Sequence, residues 1–509
     1  MAGREEPAGT ETSAGSGAGA EGVVRASSKL IKIEDATGPL SNHGGSPPRG
    51  QATVARSSLD QGRYGRMFRT LPPLAPPDDV LAALADTMAD EPTLPGQAPV
   101  PFPANDNPDI PAGYTYLGQF VDHDLTFDPV SSLERQNDPD ALTDFRTPRF
   151  DLDSLYGRGP LDSPYLYDND DTTKLLVGEN TDPKFEPVDL PRNRQGRALI
   201  GDPRNDIHFI LSQLHLAFIR FHNACVDHLR MQFFPVDQLF EEARRLTRWH
   251  YQWVVVHDFL RHLVGDDMLG SVLVADPVTK GVRADLRFFH WRSQPFMPVE
   301  FTAAAYRFGH SMVRAAYRLN ATLDPLPVLS PSRSPNPLQH LGGFRFLPKT
   351  WTIDWSLFYP VGASTPQPSR RLDTHLSAAL RQLPDDVDAD RRSLGLLNML
   401  RGRALGLPSG QAVAAAMGTS VPDASLHLDG EAPLWFYLLR ESEVVAEGRH
   451  LGPTTGRIVA EVILGLLAGD PSSYLRMAPA WTPELPSATP GDFTIVDLLQ
   501  FAGVAGAHG

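Results

Sequence analysis

The run Gly118-Gln119-Phe120-Val121-Asp122-His123-Asp124 constrains this chain more than any other stretch. It crowds an imidazole, an amide and two carboxylates together. Gln119, Asp122 and His123 stand at i, i+3 and i+4, so a helix points all three the same way. Asp124 then lies about 100° around the axis from His123. One short helix can therefore serve two sites, which is more chemistry than a structural helix needs.

The 509 residues suffice for a large core. The balance of 61 Asp and Glu against 46 Lys and Arg argues against non-specific nucleic-acid binding. Cys225 is the only cysteine, so no intrachain disulfide can form. The start, Met1-Ala2-Gly3-Arg4-Glu5-Glu6, lacks the basic and apolar parts of a secretory signal. The longest apolar stretch, Ile458 to Leu467, is interrupted by Glu461 and is too short to span a bilayer. A cytoplasmic location without a membrane span is the expectation, with non-standard export left open.

Residues 1–60 are rich in Gly, Ala, Ser, Thr and Glu and poor in aromatics, so a disordered tail is expected there. Residues 61–509 then form the catalytic domain. The Pro-rich stretch from Pro72 to Pro111 predicts irregular chain. Beyond it the patterns are helical. Asp202-Pro203 reads as an N-cap followed by proline, opening a helix over Arg204–Leu229. Further helices are predicted over Val236–Leu263, Ala303–Arg318, Arg391–Arg403, Pro433–Arg440 and Thr455–Leu467. Strand-like alternation is scarce, so the class is mainly α with few short strands.

Three segments carry candidate chemistry. His310 lies in Tyr306-Arg307-Phe308-Gly309-His310, where the glycine leaves room for a flat ligand near the backbone. Alone, such a histidine is more often a satisfied core residue than a ligand. Arg204 sits at a predicted helix N-terminus. The plain reading is a surface cap paired with Asp202, and the functional one an anion stabiliser in a pocket. Thr147-Pro148-Arg149-Phe150-Asp151-Leu152-Asp153-Ser154 has oxygen donors at alternate positions, a spacing that suits calcium in an extended loop. Asp-x-Asp alone often marks a turn, and Asp124 strengthens the metal reading.

Together these fragments resemble the animal-type haem peroxidases of the peroxidase–cyclooxygenase superfamily, over Arg63 to Val504. The resemblance implies a large helical haem peroxidase domain that reduces hydrogen peroxide and oxidises a small-molecule donor. It implies that His123 is the distal histidine, Arg204 the distal arginine and Gln119 the distal glutamine. His310 becomes the proximal iron ligand, with Arg307 beside it on the haem-binding segment. Asn398 becomes the partner accepting the proton of the proximal imidazole. Asp124, Thr147, Arg149 through its carbonyl, Asp151 and Asp153 become the calcium set. The cofactors implied are haem b and calcium.

Two departures matter. The family often esterifies haem through an aspartate and a glutamate. Asp122 matches the aspartate, but the glutamate position is Ile207, and Asp206 points elsewhere on a helix. At most one ester link, through Asp122, is expected, which argues against strong halide oxidation. Secondly, fatty-acid dioxygenases of this superfamily carry a tyrosine three residues before the proximal histidine. Here that residue is Arg307, which favours a peroxidase. A non-catalytic haem- or calcium-binding interaction module is the third reading, and the intact His123, Arg204 and His310 argue against it.

His208, His215 and His222 repeat every seven residues, about 10.5 Å apart along a helix, too far for one ion. They read as polar packing positions, as do His250 and His257. Cys225 reads as a buried small residue. Trp249, Tyr251 and Trp253 read as core. The electron donor and the oligomeric state are not legible.

Overall fold

The computed structural model describes residues 62–88, 105–127, 143–144, 146–329, 336–381, 383 and 393–506. The expected tail over 1–60 lies outside them. Helices carry the fold and the strands are short, none longer than six residues among those described. The principal helices are α1 (Asp78–Thr87), α2 (Gly113–Leu125), α3 (Phe209–Met231), α4 (Leu239–Trp253) and α5 (Arg261–Val272). They are followed by α6 (Leu394–Ala404), α7 (Gly410–Met417), α8 (Leu434–Val445), α9 (Pro453–Gly469) and α10 (Ile495–Phe501).

The Pro72–Pro111 stretch is not irregular throughout. Ala and Leu, behind two acidic residues in the first turn, make α1. The strand Asp106–Pro111 pairs with Pro368–Arg370. The helix predicted from Arg204 also starts later. Pro203–Asp206 is a 3₁₀ turn, and His208 is extended and caps α3 by accepting from Leu211 N–H at 3.2 Å. Tertiary bonds force this break. The carbonyls of Asp206 and Ile207 accept from Phe344 and Gly343, and Phe209 N–H donates to Leu341. A Cβ at Gly343 would fall 1.9 Å from Asp206 O, so only glycine permits that approach.

The helix predicted over Val236–Leu263 divides into α4 and a π-helical stretch, Val254–Leu260, that runs on into α5. The helix predicted over Ala303–Arg318 is replaced by a 3₁₀ segment, Ala305–His310, and a strand, Ala316–Tyr317. Its apolar spacing survives, but Arg307 Nε bonds to Thr302 O and Tyr306 stacks on Phe301, contacts that a regular α-helix does not make.

α2 packs across α3 and against the Ala305–His310 segment, which α8 and α9 back from behind. Every residue of α9 from Thr454 to Leu467 is buried. A helix buried all round reads as apolar all round; this one also buries two charged residues, Arg457 and its acidic partner Glu461. Its Oε2 accepts from the backbone N–H groups of Arg287, Phe288 and Phe289 at 3.0, 2.7 and 3.0 Å. Its Oε1 accepts from Arg457 Nε at 2.6 Å. The interruption in the apolar run is thus a staple. No helix among the described residues is long and apolar enough to cross a membrane.

Glu461→Ala strands three backbone donors and a buried guanidinium, and is expected to cost about 3–5 kcal/mol. Urea unfolding measures this, and a loss below about 1 kcal/mol would contradict the role.

Candidate active site

α2 carries the distal candidates, and its far end is held by residues distant in sequence. His123 is fully buried. Its Nδ1 lies 2.8 Å from Asn205 Oδ1, whereas its Nε2 is buried with no hydrogen-bond partner among the described residues. Burial, with the neighbouring Arg204 charge, pushes its pKa down to about 3, so the ring is neutral. The amide of Asn205 continues from its Nδ2 to His215 Nδ1 at 3.0 Å.

Arg204 is buried, so both of its sequence readings meet in one place: it is an ion pair with Asp202, but an internal one. Nε and Nη2 contact Asp202, and Nη2 also donates to His123 O at 2.8 Å. Its guanidinium carbon stands 4.6 Å from the centre of the Phe127 ring. Asp202 also binds Arg146 Nη2 at 2.5 Å, and the two guanidiniums hold its carboxyl well below the usual range. Arg146 reaches on to Asp153 Oδ1 at 3.1 Å.

Gln119 Oε1 lies 2.8 Å from His208 Nε2. Since His208 Nδ1 already accepts from Leu211 N–H, Nε2 carries the proton and donates to the glutamine. Asp122 is half-buried, and Thr126 Oγ1 donates to its Oδ1 at 3.2 Å. Burial raises its pKa, while Arg204 and Arg307 both act to lower it, which places Asp122 within the field of both sides of the site. Asp206 does point elsewhere: Arg192 Nη1 and Nη2 clamp it at 2.6 and 2.8 Å. Ile207 is buried beside it.

The opposite wall is the Ala305–His310 segment. Tyr306 Oη donates to Gly118 O at 3.2 Å, joining this wall directly to α2. In a 3₁₀ turn residues three apart eclipse, so Arg307 and His310 share a face and one residue of α6 touches both. Arg307 Nη1 donates to Asn398 Oδ1 at 2.8 Å, and Asn398 Nδ2 lies 2.9 Å from His310 Nδ1. Here the structure departs from the sequence reading. A guanidinium can only donate, so Arg307 claims the amide oxygen and His310 meets the NH₂ end instead of an acceptor. Burial and Arg307 push the His310 pKa down to about 3.

One carboxylate oxygen each from Asp124, Asp151 and Asp153 gather within 4.8 Å of one another. Burial raises all three pKa values, Asp151 to about 7; repulsion within the trio adds to it at Asp124 and Asp151, while Arg146 opposes it at Asp153. Thr147 Oγ1 donates to Asp151 Oδ2 at 2.7 Å. Arg149 N–H bonds to Thr147 O at 2.7 Å and Leu152 is left-handed, so this loop is coiled where the spacing alone predicts extension. Asp124 Oδ1 is buried without a hydrogen bond among the described residues.

These residues fit haem and a cation. Gln119, Asp122, Arg307, Gly309 and His310 keep partial exposure among buried neighbours, and a Cβ on Gly309 would meet nothing within 4 Å. Both observations describe an opening beside His310, and the orphaned His123 Nε2 lies across α2 from the acid trio. Sequence reasoning missed Asn205, Arg146 and the hold of His208 on Gln119, because these partners converge only through the break before α3. Of the seven-spaced histidines, His222 is structural, bonded to Tyr156 Oη and Thr173 O. The other two back the site. His250 is structural as well, with Nδ1 on Leu246 O and Nε2 accepting from Glu484 and Leu485.

Comparison with known proteins agrees. Residues 134–433 match the family described as animal haem peroxidase, a span that includes Arg204, His310 and Asn398 but begins beyond Asp124. Peroxidasin of Drosophila melanogaster is 25% identical over 237 residues, 43% of this chain. The chain spans only 14% of that relative's length. Peroxidase A of Dictyostelium discoideum shares the fold at a TM-score of 0.57 and 14% identity, covering 82% of this chain and 88% of its own. A fatty acid alpha-dioxygenase of Arabidopsis thaliana shares it at 0.52 and 16%, covering 79% and 71%. The chain belongs to the animal haem peroxidase family.

Proposed function

We propose that the chain binds haem b between α2 and the Ala305–His310 segment, reduces hydrogen peroxide there, and oxidises a small organic or inorganic donor. The observation that carries the reading is His123 Nε2, a buried and uncommitted nitrogen on a ring fixed from behind by Asn205. Bound haem would supply the two-electron redox chemistry by which hydrogen peroxide is reduced. His310 is the residue that would hold the iron. His123 Nε2 takes a proton from one peroxide oxygen and returns it to the other. Arg204, already anchored to Asp202 and to His123 O, stabilises charge on the departing oxygen with the remainder of its field. Gln119, steadied by His208, holds pocket water.

Asp122 is the one carboxylate available for an ester to haem, since Ile207 has none to offer and Asp206 is spent on Arg192. Arg307 at the dioxygenase tyrosine position, bound to Asn398, supports a peroxidase over a lipid dioxygenase. Calcium is the cation that Asp124, Thr147, the Arg149 carbonyl, Asp151 and Asp153 would hold, the donors being all oxygen.

Haem-loaded protein is expected to oxidise guaiacol with peroxide, and His310→Ala to lose the haem absorbance. Oxygen uptake with linoleate in the absence of peroxide would instead favour the dioxygenase, and inertness in both assays the silent module. Since His123 stays neutral down to about pH 3, the rate of reaction with peroxide is expected to be flat between about pH 5 and 8. A fall tracking a pKa near 6.5 in stopped-flow measurements would contradict this.

The acid trio gives a second pH dependence. Carboxylates whose folded pKa is raised stabilise the calcium-free fold only while protonated, so that stability is lost as pH rises from about 4 through about 7. Calcium must displace those protons, so its binding strengthens over the same window. EGTA is therefore expected to strip calcium more readily at pH 6 than at pH 8, while the drop in melting temperature on stripping is larger at pH 8. Equal behaviour at both values, by metal analysis and calorimetry, would contradict it.

A further inference from the structure

We propose that His215, acting through Asn205, sets which nitrogen of His123 carries the proton and so aims a lone pair into the pocket. This rests on the reading of His123 as the pocket base. A carboxamide has one donating and one accepting end. Asn205 Nδ2 can only donate, so His215 Nδ1, 3.0 Å away, accepts and the His215 proton sits on Nε2. Asn205 Oδ1 can only accept, so His123 Nδ1, 2.8 Å away, donates and His123 Nε2 is left with its lone pair.

The three side chains are therefore one unit. Turning the amide over would demand a tautomer change on both rings at once. All three are buried, with His123, Asn205 and His215 at zero exposure, so no water competes for these groups from the surface. His215 is held in place by α3 and packs edge-on against Phe120 of α2, ring centres 5.9 Å apart. Remove its acceptor and the amide has a buried NH₂ with no partner. The amide is then no longer held against turning to present that NH₂ to His123 Nδ1, and the turned form moves the His123 proton to Nε2, where it blocks the base. His215 is thus a positioning residue, with no contact to the reacting atoms required of it.

Three measurements test this on haem-loaded protein. Neutron diffraction is expected to place deuterium on His123 Nδ1 and on His215 Nε2, and deuterium on His123 Nε2 would overturn the proposal. His215→Leu is expected to lower the bimolecular rate with peroxide by about tenfold or more, a part of a full general-base effect of roughly a hundredfold or greater, without changing haem content or the donor KM. His215→Asn puts an acceptor oxygen near the place of Nδ1 and is expected to recover most of that rate. A His215→Leu protein that reacts at the wild-type rate would overturn the proposal. Finally, His215→Leu added to Asn205→Ala is expected to cost nothing further, and additive losses would show that His215 does not act through the amide. If His215→Leu fails to fold, the neutron positions and His215→Asn still decide. A wild-type protein inert to peroxide would sink the functional reading, and the proton positions alone would then decide this one.

Discussion

Asp202 is a single buried carboxylate shared by two guanidiniums, and the geometry of the distal side follows from it. It caps the 3₁₀ turn by accepting from Arg204 N–H at 2.9 Å, grips the side chain of the same arginine, and receives Arg146 from the other side. A buried pair of this kind contributes little net stability and a great deal of position, because neither partner can leave without stranding the other. Arg204 so held fixes the carbonyl of His123, and Arg146 so held fixes Asp153. The two arginines stand against four carboxylates, Asp202 and Asp124 buried and Asp151 and Asp153 half-buried. A divalent cation would offset that excess of negative charge, which Arg248 near Asp151 relieves only in part. On the proposed calcium and peroxidase readings, the metal and the pocket would be joined twice, once through the backbone between Asp124 and His123 and once through Arg146 and Asp202.

Much of this was legible in the sequence, for a physical reason. Gln119, Asp122, His123 and Asp124 lie within one helix, and the angular arithmetic of a helix sends three of them to the pocket side and Asp124 to the acid trio. The trio itself could be anticipated because Asp151 and Asp153 are local. The residues that escaped are those whose partners come from elsewhere. Asn205 and His215 lie on either side of the break at Ile207 and His208. A regular helix read through that break gives no reason for the Asn205 amide to turn back on His215 and forward on His123. The 3₁₀ segment ending at His310 escaped too, since its apolar spacing fits an α-helix equally well. What distinguishes it is tertiary, in the bonds of Arg307 and Tyr306 to residues outside the segment.

Two asparagines face two histidines across this site, and they do so with opposite ends. Asn205 offers His123 its oxygen because His215 takes the NH₂. Asn398 offers His310 its NH₂ because Arg307 takes the oxygen. The residue type alone carries no polarity, and in each case a third side chain assigns it. The resemblance implies an acceptor at Asn398, whereas here its NH₂ end is turned to His310. The assignment sets different demands on the two rings. His123 receives an acceptor at Nδ1 and keeps its far nitrogen free for a proton. His310 receives a donor at Nδ1, so its own proton sits on Nε2, the nitrogen a metal would need. A metal held there would require that proton to leave, with either an electron-rich ring steadied by the Asn398 N–H or an amide turned over and released from Arg307 as the result. Both outcomes run through Arg307, so on the proposed reading of His310 as the iron ligand this residue would also tune that ligand's electronic character.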